Sequence, residues 1–150
     1  MKYGDRIMGK IKAICISKEK GTAKVPITGK AEFVRDFGIK HDAHAGKWHR
    51  QVSLLAYEKI EAFKAKGAKV SDGSFGENII TEGIDLKNLP VGTVLIMGTV
   101  ILRVTQIGKE CHSKCAIAEA VGSCIMPTEG IFAEVIQGGK AGAGDSIIIR

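Results

Sequence analysis

The run 93-TVLIMGTVILRVTQI-107 consists of two stretches rich in aliphatic and β-branched residues, TVLIM and VILRVTQI, joined by Gly98-Thr99. Such side chains fit a pleated, half-buried surface, and a glycine between two such stretches marks a tight turn, so the run reads as a β-hairpin. Upstream, 78-NIITEGIDLKNLPVG-92 continues with short β-rich runs broken by Gly, Pro and Asn. Downstream, 131-IFAEVIQ-137, the turn region 138-GGKAGAGD-145 and 146-SIIIR-150 repeat the idea. Near the start, 9-GKIKAICIS-17 alternates, with Ile11, Ala13 and Cys15 on one face and Lys10 and Lys12 on the other. That alternation predicts an amphipathic strand with Cys15 pointing into a core. Only 57-YEKIEAFKAKG-67 is clearly helical: good helix formers, Ile60 and Phe63 three residues apart, and Gly67 where a helix would end. At least five strands and one or two helices, without regular strand and helix alternation, argue against a doubly wound sheet. The expected fold is mainly β, a mostly antiparallel β-barrel with helical insertions, built as one domain over residues 1–150.

Charge is unevenly placed. Residues 1–70 hold 16 Lys/Arg against 7 Asp/Glu and residues 71–150 hold 6 against 9, so +9 is followed by −3 to give the net +6. A basic first half suits an anionic partner such as a phosphate-bearing cofactor or nucleic acid, although dispersed lysines also make an ordinary solvated surface. With two tyrosines, one tryptophan and no nucleic-acid motif, nucleic-acid binding is not expected. The stretch MKYGDRIMGK has no apolar run of signal-peptide length and no segment approaches the roughly 18 apolar residues of a membrane span. The expectation is a cytoplasmic protein that uses no membrane, with its cysteines outside structural disulfides.

Chemistry concentrates in 108-GKECHSKCAIAEAVGSCIM-126, which holds three of the four cysteines. Cys111 and Cys115 stand four residues apart, close enough to reach one ligand from a helix or a strand. A c-type haem site needs C-x-x-C-H, and here the histidine, His112, follows the first cysteine, which excludes it. Zinc would need Cys124 with His41, His44 or His49 to complete a tetrahedral set from other segments. A Cys111–Cys115 redox disulfide lacks the C-x-x-C spacing of thioredoxin-like enzymes. Cys15 and Cys124 read as small buried thiols. Cys111 differs, because Lys109, His112 and Lys114 around it favour the thiolate, which can attack, ligate a metal or carry sulfur as a persulfide. A second cluster, 38-GIKHDAHAGKWHRQVSLL-55, sets three histidines, Asp42, Lys47 and Arg50 within ten residues. By itself it also reads as a solvated surface or a weak metal binder. A third, 73-GSFGENIITEG-83, reads first as a common turn, and its Gly76-Glu77-Asn78 also offers backbone amides and an amide side chain to an anionic or heterocyclic ligand.

In this order the clusters resemble the MOSC family, the domain at the C-terminal end of molybdenum-cofactor sulfurases, which also occurs as small free-standing bacterial proteins. The resemblance is carried by Gly38 to Gly46 followed by Arg50 to Leu55, by Phe75 to Ile79, by Val91-Gly92 and Ile96-Met97-Gly98, and by Cys111 after a strand. It implies a β-barrel with helical additions and a role with the molybdenum cofactor (molybdopterin), bound stably or transiently. The family cysteine matches Cys111, which the resemblance casts as a sulfur acceptor or as a molybdenum ligand. Cys115 is an added candidate for the same work. Lys40, His41, Asp42, His44 and Arg50, with Gly76, Glu77, Asn78, Lys109 and His112, are the implied cofactor contacts. Two departures stand out: Glu110 replaces a proline common before the family cysteine, and Cys115 is extra. The pyridoxal-phosphate-dependent desulfurase half of the fused enzymes has no counterpart here, so the implied partners are a cysteine desulfurase or other sulfur donor, and cofactor-biosynthesis proteins or molybdoenzymes as acceptors. Three readings stay open: a sulfur carrier in cofactor maturation, with sulfurtransferase-type activity; a molybdenum-dependent reductase of N-hydroxylated compounds; and a non-catalytic delivery module for the pterin.

Overall fold

A computed structural model describes residues 6–109 and 124–150, with the backbone path alone for residues 6–8. Its strands, in chain order, are β1 (Arg6–Ile16), β2 (Val25–Pro26), β3 (Lys30–Val34), β4 (Gly38–Ile39), β5 (Val52–Ala56), β6 (Ile79–Glu82), β7 (Val94–Met97), β8 (Val100–Ile107), β9 (Ile131–Gln137), β10 (Gly139–Gly142) and β11 (Ser146–Ile149). Helix α1 (Tyr57–Ala65) and the short helix α2 (Met126–Glu129) accompany them, with one 3-10 turn at Leu86–Asn88.

The hairpin expected at Gly98-Thr99 is present: Met97 pairs with Val100, and Gly98 has φ +63, a conformation that a side chain would strain. Seven strands follow one another as β11-β7-β8-β9-β5-β6-β1, and β1 pairs back onto β11, so the sheet closes into a barrel. Closure leaves the barrel no free edge. Every neighbouring pair is antiparallel except β5 and β6, which run parallel with Leu54 opposite Ile79. Parallel neighbours need a long crossover, and α1 with the loop after it supplies one. The second sheet, β10-β3-β4, lies against the barrel and sends Ala31, Phe33, Ile39 and Ala141 into its core.

Alternation along the barrel strands divides the apolar residues between two cores. Leu54, Ile79, Leu95, Met97, Leu102, Val104, Ile131 and Ile147 fill the interior, each at most 1% exposed. Outside the wall, Leu55, Ile80 and Phe132 pack beneath α1 and α2 with Ile60, Phe75 and Met126. Strand β1 serves both. Its pairing with β6 shifts between Ile11 and Ala13, so Ile11 and Ile14 face the interior while Ala13 and Cys15 face the outer core. The face expected to hold Ile11, Ala13 and Cys15 together is thus split by a bulge, which inserts one residue and turns the rest of the strand to the other side. The helix expected over 57–67 forms; Phe63 meets Phe75 edge-on at 5.4 Å, and Gly67, at φ +99, comes just after its end.

Candidate functional site

Lys24 lies at the centre of a polar cradle on the barrel's outer side. Its ammonium is fully buried and donates to Asp42 Oδ1 at 2.8 Å, Ser17 Oγ at 3.1 Å and His44 Nδ1 at 3.0 Å. Asp42 is equally buried and ties the strand end to the following loop. Its Oδ1 also accepts the Ser17 backbone N–H, and its Oδ2 accepts that of His44, each at 3.1 Å. A buried cation and anion need this degree of hydrogen bonding to offset their lost hydration. The loop is fixed further by Trp48, whose Nε1–H donates to the His44 carbonyl at 2.7 Å and whose ring lies nearly parallel to the imidazole, 7° apart.

Around this frame the charge is positive. Lys20 Nζ lies 4.8 Å from the Trp48 ring centre, and the Arg50 guanidinium lies between the rings of Trp48 and Phe132, at 4.7 and 5.5 Å. Arg50 Nε is buried and has no hydrogen-bond partner among the described residues. Burial, and then the charge of Lys24, pull His44 down to about 4 against the opposing pull of Asp42, with Lys20 and Lys109 acting in the same sense as Lys24. His44 is therefore a neutral imidazole at physiological pH.

The 73–77 turn backs the cradle. Gly73 O accepts the Lys24 backbone N–H at 2.7 Å, and the Glu77 carboxylate accepts the N–H groups of Gly73 and Phe75, both at 3.0 Å. Burial raises Glu77 to about 7 despite those bonds, with Asp72 adding to the rise. Asn78 is buried outright: Oδ1 accepts the Ser53 N–H at 3.0 Å, and Nδ2 donates to the Cys15 carbonyl at 3.0 Å, stitching β5 to β1.

The structure thus brings Asp42, His44, Arg50 and Lys109 to one locality, with the 73–77 turn holding Lys24 behind them. Gly76, at φ +78, belongs to that turn, and the polar groups of Glu77 and Asn78 are occupied by the chain's own backbone and by Ser53. Lys40 and His41 stand elsewhere, lining a separate cavity of about 330 Å³ with Lys30 and Lys140. Cys111, His112 and Cys115 lie outside the described residues. Cys15 is buried in the outer core, where burial first, and then Glu77 and Asp72, push its thiol up to about 12, so it holds its proton. Among the described residues no group of three or more His, Cys, Asp and Glu is placed to hold a metal ion, and no helix is long and apolar enough to cross a membrane.

Sequence reasoning missed Lys24, Ser17, Lys20 and Trp48. Lys24 sits in 18-KEKGTAKVPITG-29, whose composition is that of a solvated loop, and its burial depends on Asp42, 18 residues away. Trp48 carried a usable signal, as a lone tryptophan between His44, His49 and Arg50.

A closed, mostly antiparallel barrel with a cationic, aromatic-walled cradle on its outer side defines the class of this β-barrel domain. The YuaD protein from Bacillus subtilis has a similar fold, with a TM-score of 0.76 at 20% identity over 94% of both chains. YiiM from Escherichia coli (TM-score 0.68, 17% identity, 94% of this chain and 69% of that one) and YiiM from Geobacillus stearothermophilus (0.68, 16%, 97% and 75%) share it too. No curated protein matches the sequence. Residues 41–148 match the MOSC domain, and the chain belongs to the MOSC domain family, which is associated with binding or handling of the molybdenum cofactor.

Proposed function

We propose that this protein is a carrier in molybdenum-cofactor maturation, which binds the cofactor or its precursor at the cradle and holds sulfur or metal on the Cys111 thiolate. The observation that carries the reading is the orphaned, buried Arg50 Nε beside the Trp48 ring, in a cradle where Asp42 is neutralised by Lys24 and the further charges, Lys20 and Lys109, are positive. A planar, phosphate-bearing heterocycle fits such a donor set: the ring against the indole, the phosphate against guanidinium and ammonium groups. When bound, that group supplies a thiophilic metal centre, for which thiolate is a suitable soft ligand.

The chain's own residues divide the remaining work. Trp48 and Arg50 orient the ring, His44 contributes a neutral donor, and Lys24, Asp42, Glu77 and Asn78 keep the wall in place from behind. Cys111 lies two residues beyond Lys109 in the sequence, among the lysines Lys109 and Lys114, whose charge favours its thiolate. Cys115 is the second thiol: attack of its thiolate on the inner sulfur of a Cys111 persulfide breaks the S–SH bond, releases hydrosulfide and leaves a Cys111–Cys115 disulfide.

Intact-mass spectrometry after incubation with a cysteine desulfurase and cysteine tests the reading. Wild type should gain one sulfur, about 32 Da, as a persulfide. The gain should vanish in Cys111→Ser and persist in Cys115→Ser. No gain in wild type, or full gain in Cys111→Ser, would overturn the sulfur role of Cys111.

A further inference from the structure

Each of the three N–H bonds of the Lys24 ammonium is taken, one each by Asp42, Ser17 and His44, so none is left for a ligand. An ammonium is a donor only. The 3.0 Å contact to His44 Nδ1 therefore exists only when that nitrogen carries its lone pair, which leaves the proton of a neutral imidazole on Nε2. Asp42 does not compete for the ring, because its two oxygens serve Lys24 and the backbone N–H groups of Ser17 and His44. A carboxylate placed directly on a histidine accepts from one ring nitrogen and leaves the other basic. Here a lysine stands between the two, and the polarity of the ring is reversed. Trp48 packs nearly parallel to the imidazole and donates to the same residue's carbonyl, and a ring flip would exchange the Lys24 contact at Nδ1 for a carbon. Nε2, on the opposite edge, has no partner among the described residues.

We propose that Lys24 is a positioning residue that locks His44 as the Nε2–H tautomer, making it a fixed hydrogen-bond donor for an oxyanion, phosphate or carboxylate, on the ligand. The inference deepens the reading of the cradle as an anion site and rests on it. The charged and titratable groups acting on the ring are Lys24, Asp42, Lys20 and Lys109, three cations against one anion, which favours a ligand that accepts over one that donates.

Long-range nitrogen–proton correlation spectra of the histidine rings, recorded on ligand-free nitrogen-15-labelled protein between pH 6 and 8, read the tautomer directly. Wild type should show the Nε2–H pattern for His44, unchanged across that range. Lys24→Met should lose the pattern and move the titration of His44 upward from its wild-type position, burial still holding it below the ordinary histidine value. An Nδ1–H pattern in wild type, or an unchanged one in Lys24→Met, would overturn the assignment. Should Lys24→Met fail to fold, the wild-type spectrum decides alone. Inorganic phosphate then probes the ligand class: a progressive shift of the His44 Nε2–H signal supports an oxyanion, and no shift overturns that part. Neither measurement involves sulfur loading at Cys111, so failure here and failure of the carrier role are told apart.

Discussion

Breaking the Lys24–Asp42 pair from either side should unsettle the cradle more than any surface charge would. Both side chains are fully buried at 2.8 Å, so Lys24→Met strands a carboxylate and Asp42→Asn strands an ammonium. Removing one partner of a buried pair costs about 3–5 kcal/mol, because the charge left behind keeps its lost hydration and loses its compensation. For a chain of this length that corresponds to a fall in Tm of roughly 6–20 °C, at about 2–4 °C per kcal/mol. The double variant contains no buried charge at this position, and its loss should fall short of the summed single losses by about 0.5–3 kcal/mol, the range for directly contacting groups. Urea unfolding of wild type, both singles and the double at pH 7 completes the cycle. Single losses below about 1 kcal/mol that simply add would mean a solvated pair of the surface kind, and would refute the reasoning.

One buried and one half-buried group are shifted in opposite directions, and the pH dependence of stability should show both. Glu77 is raised from 4.5 to about 7, so the native state holds its proton longer and stability falls as pH rises between those values; His44 is lowered from 6.5 to about 4, so stability rises across that interval. Wild type should be nearly flat from pH 4.5 to 6.5, His44→Gln should lose stability with rising pH, and Glu77→Gln should gain it, all readable as urea midpoints. Asn78→Ala leaves the Ser53 N–H and the Cys15 carbonyl unpaired in the interior, for a loss of roughly 2–6 kcal/mol by the same assay at about 1–3 per stranded group. Gly73→Ala would place a Cβ 2.0 Å from the Lys24 carbonyl oxygen at φ +91, so it should displace the backbone at Lys24 and abolish the Nε2–H signal of His44 together with a fall in Tm.

How much of the fold could be read from the sequence depends on how local each determinant is. The Gly98-Thr99 hairpin and α1 are encoded within about ten residues by turn chemistry and helical spacing, and both form as expected. The parallel pairing of β5 with β6 and the bulge in β1 depend on partners distant in the chain, and neither leaves a mark in the local pattern. The same holds at the site. Asp42, His44 and Arg50 were legible as a dense polar cluster, but whether Lys24 is a solvated lysine or a buried one is decided by a carboxylate on another loop. Gly76-Glu77-Asn78 was visible as a turn, while the inward direction of Glu77 and Asn78 depends on which N–H groups the surrounding chain leaves unpaired.

The seam of the barrel sets the order in which the chain can fold. Strand β1 pairs with β11, so Lys10 lies opposite Ser146, and no shorter pairing closes the ring. Contacts so distant in sequence are entropically late, which places this fold among the slow, high-contact-order topologies. Until β11 arrives, one side of β1 and one side of β7 are open hydrogen-bonding edges, the templates on which chains aggregate. Synthesis proceeds toward β11, so the nascent protein carries that exposure until residues 146–149 are available. Expression yield should therefore respond to substitutions in this last strand more sharply than the stability of the finished barrel does.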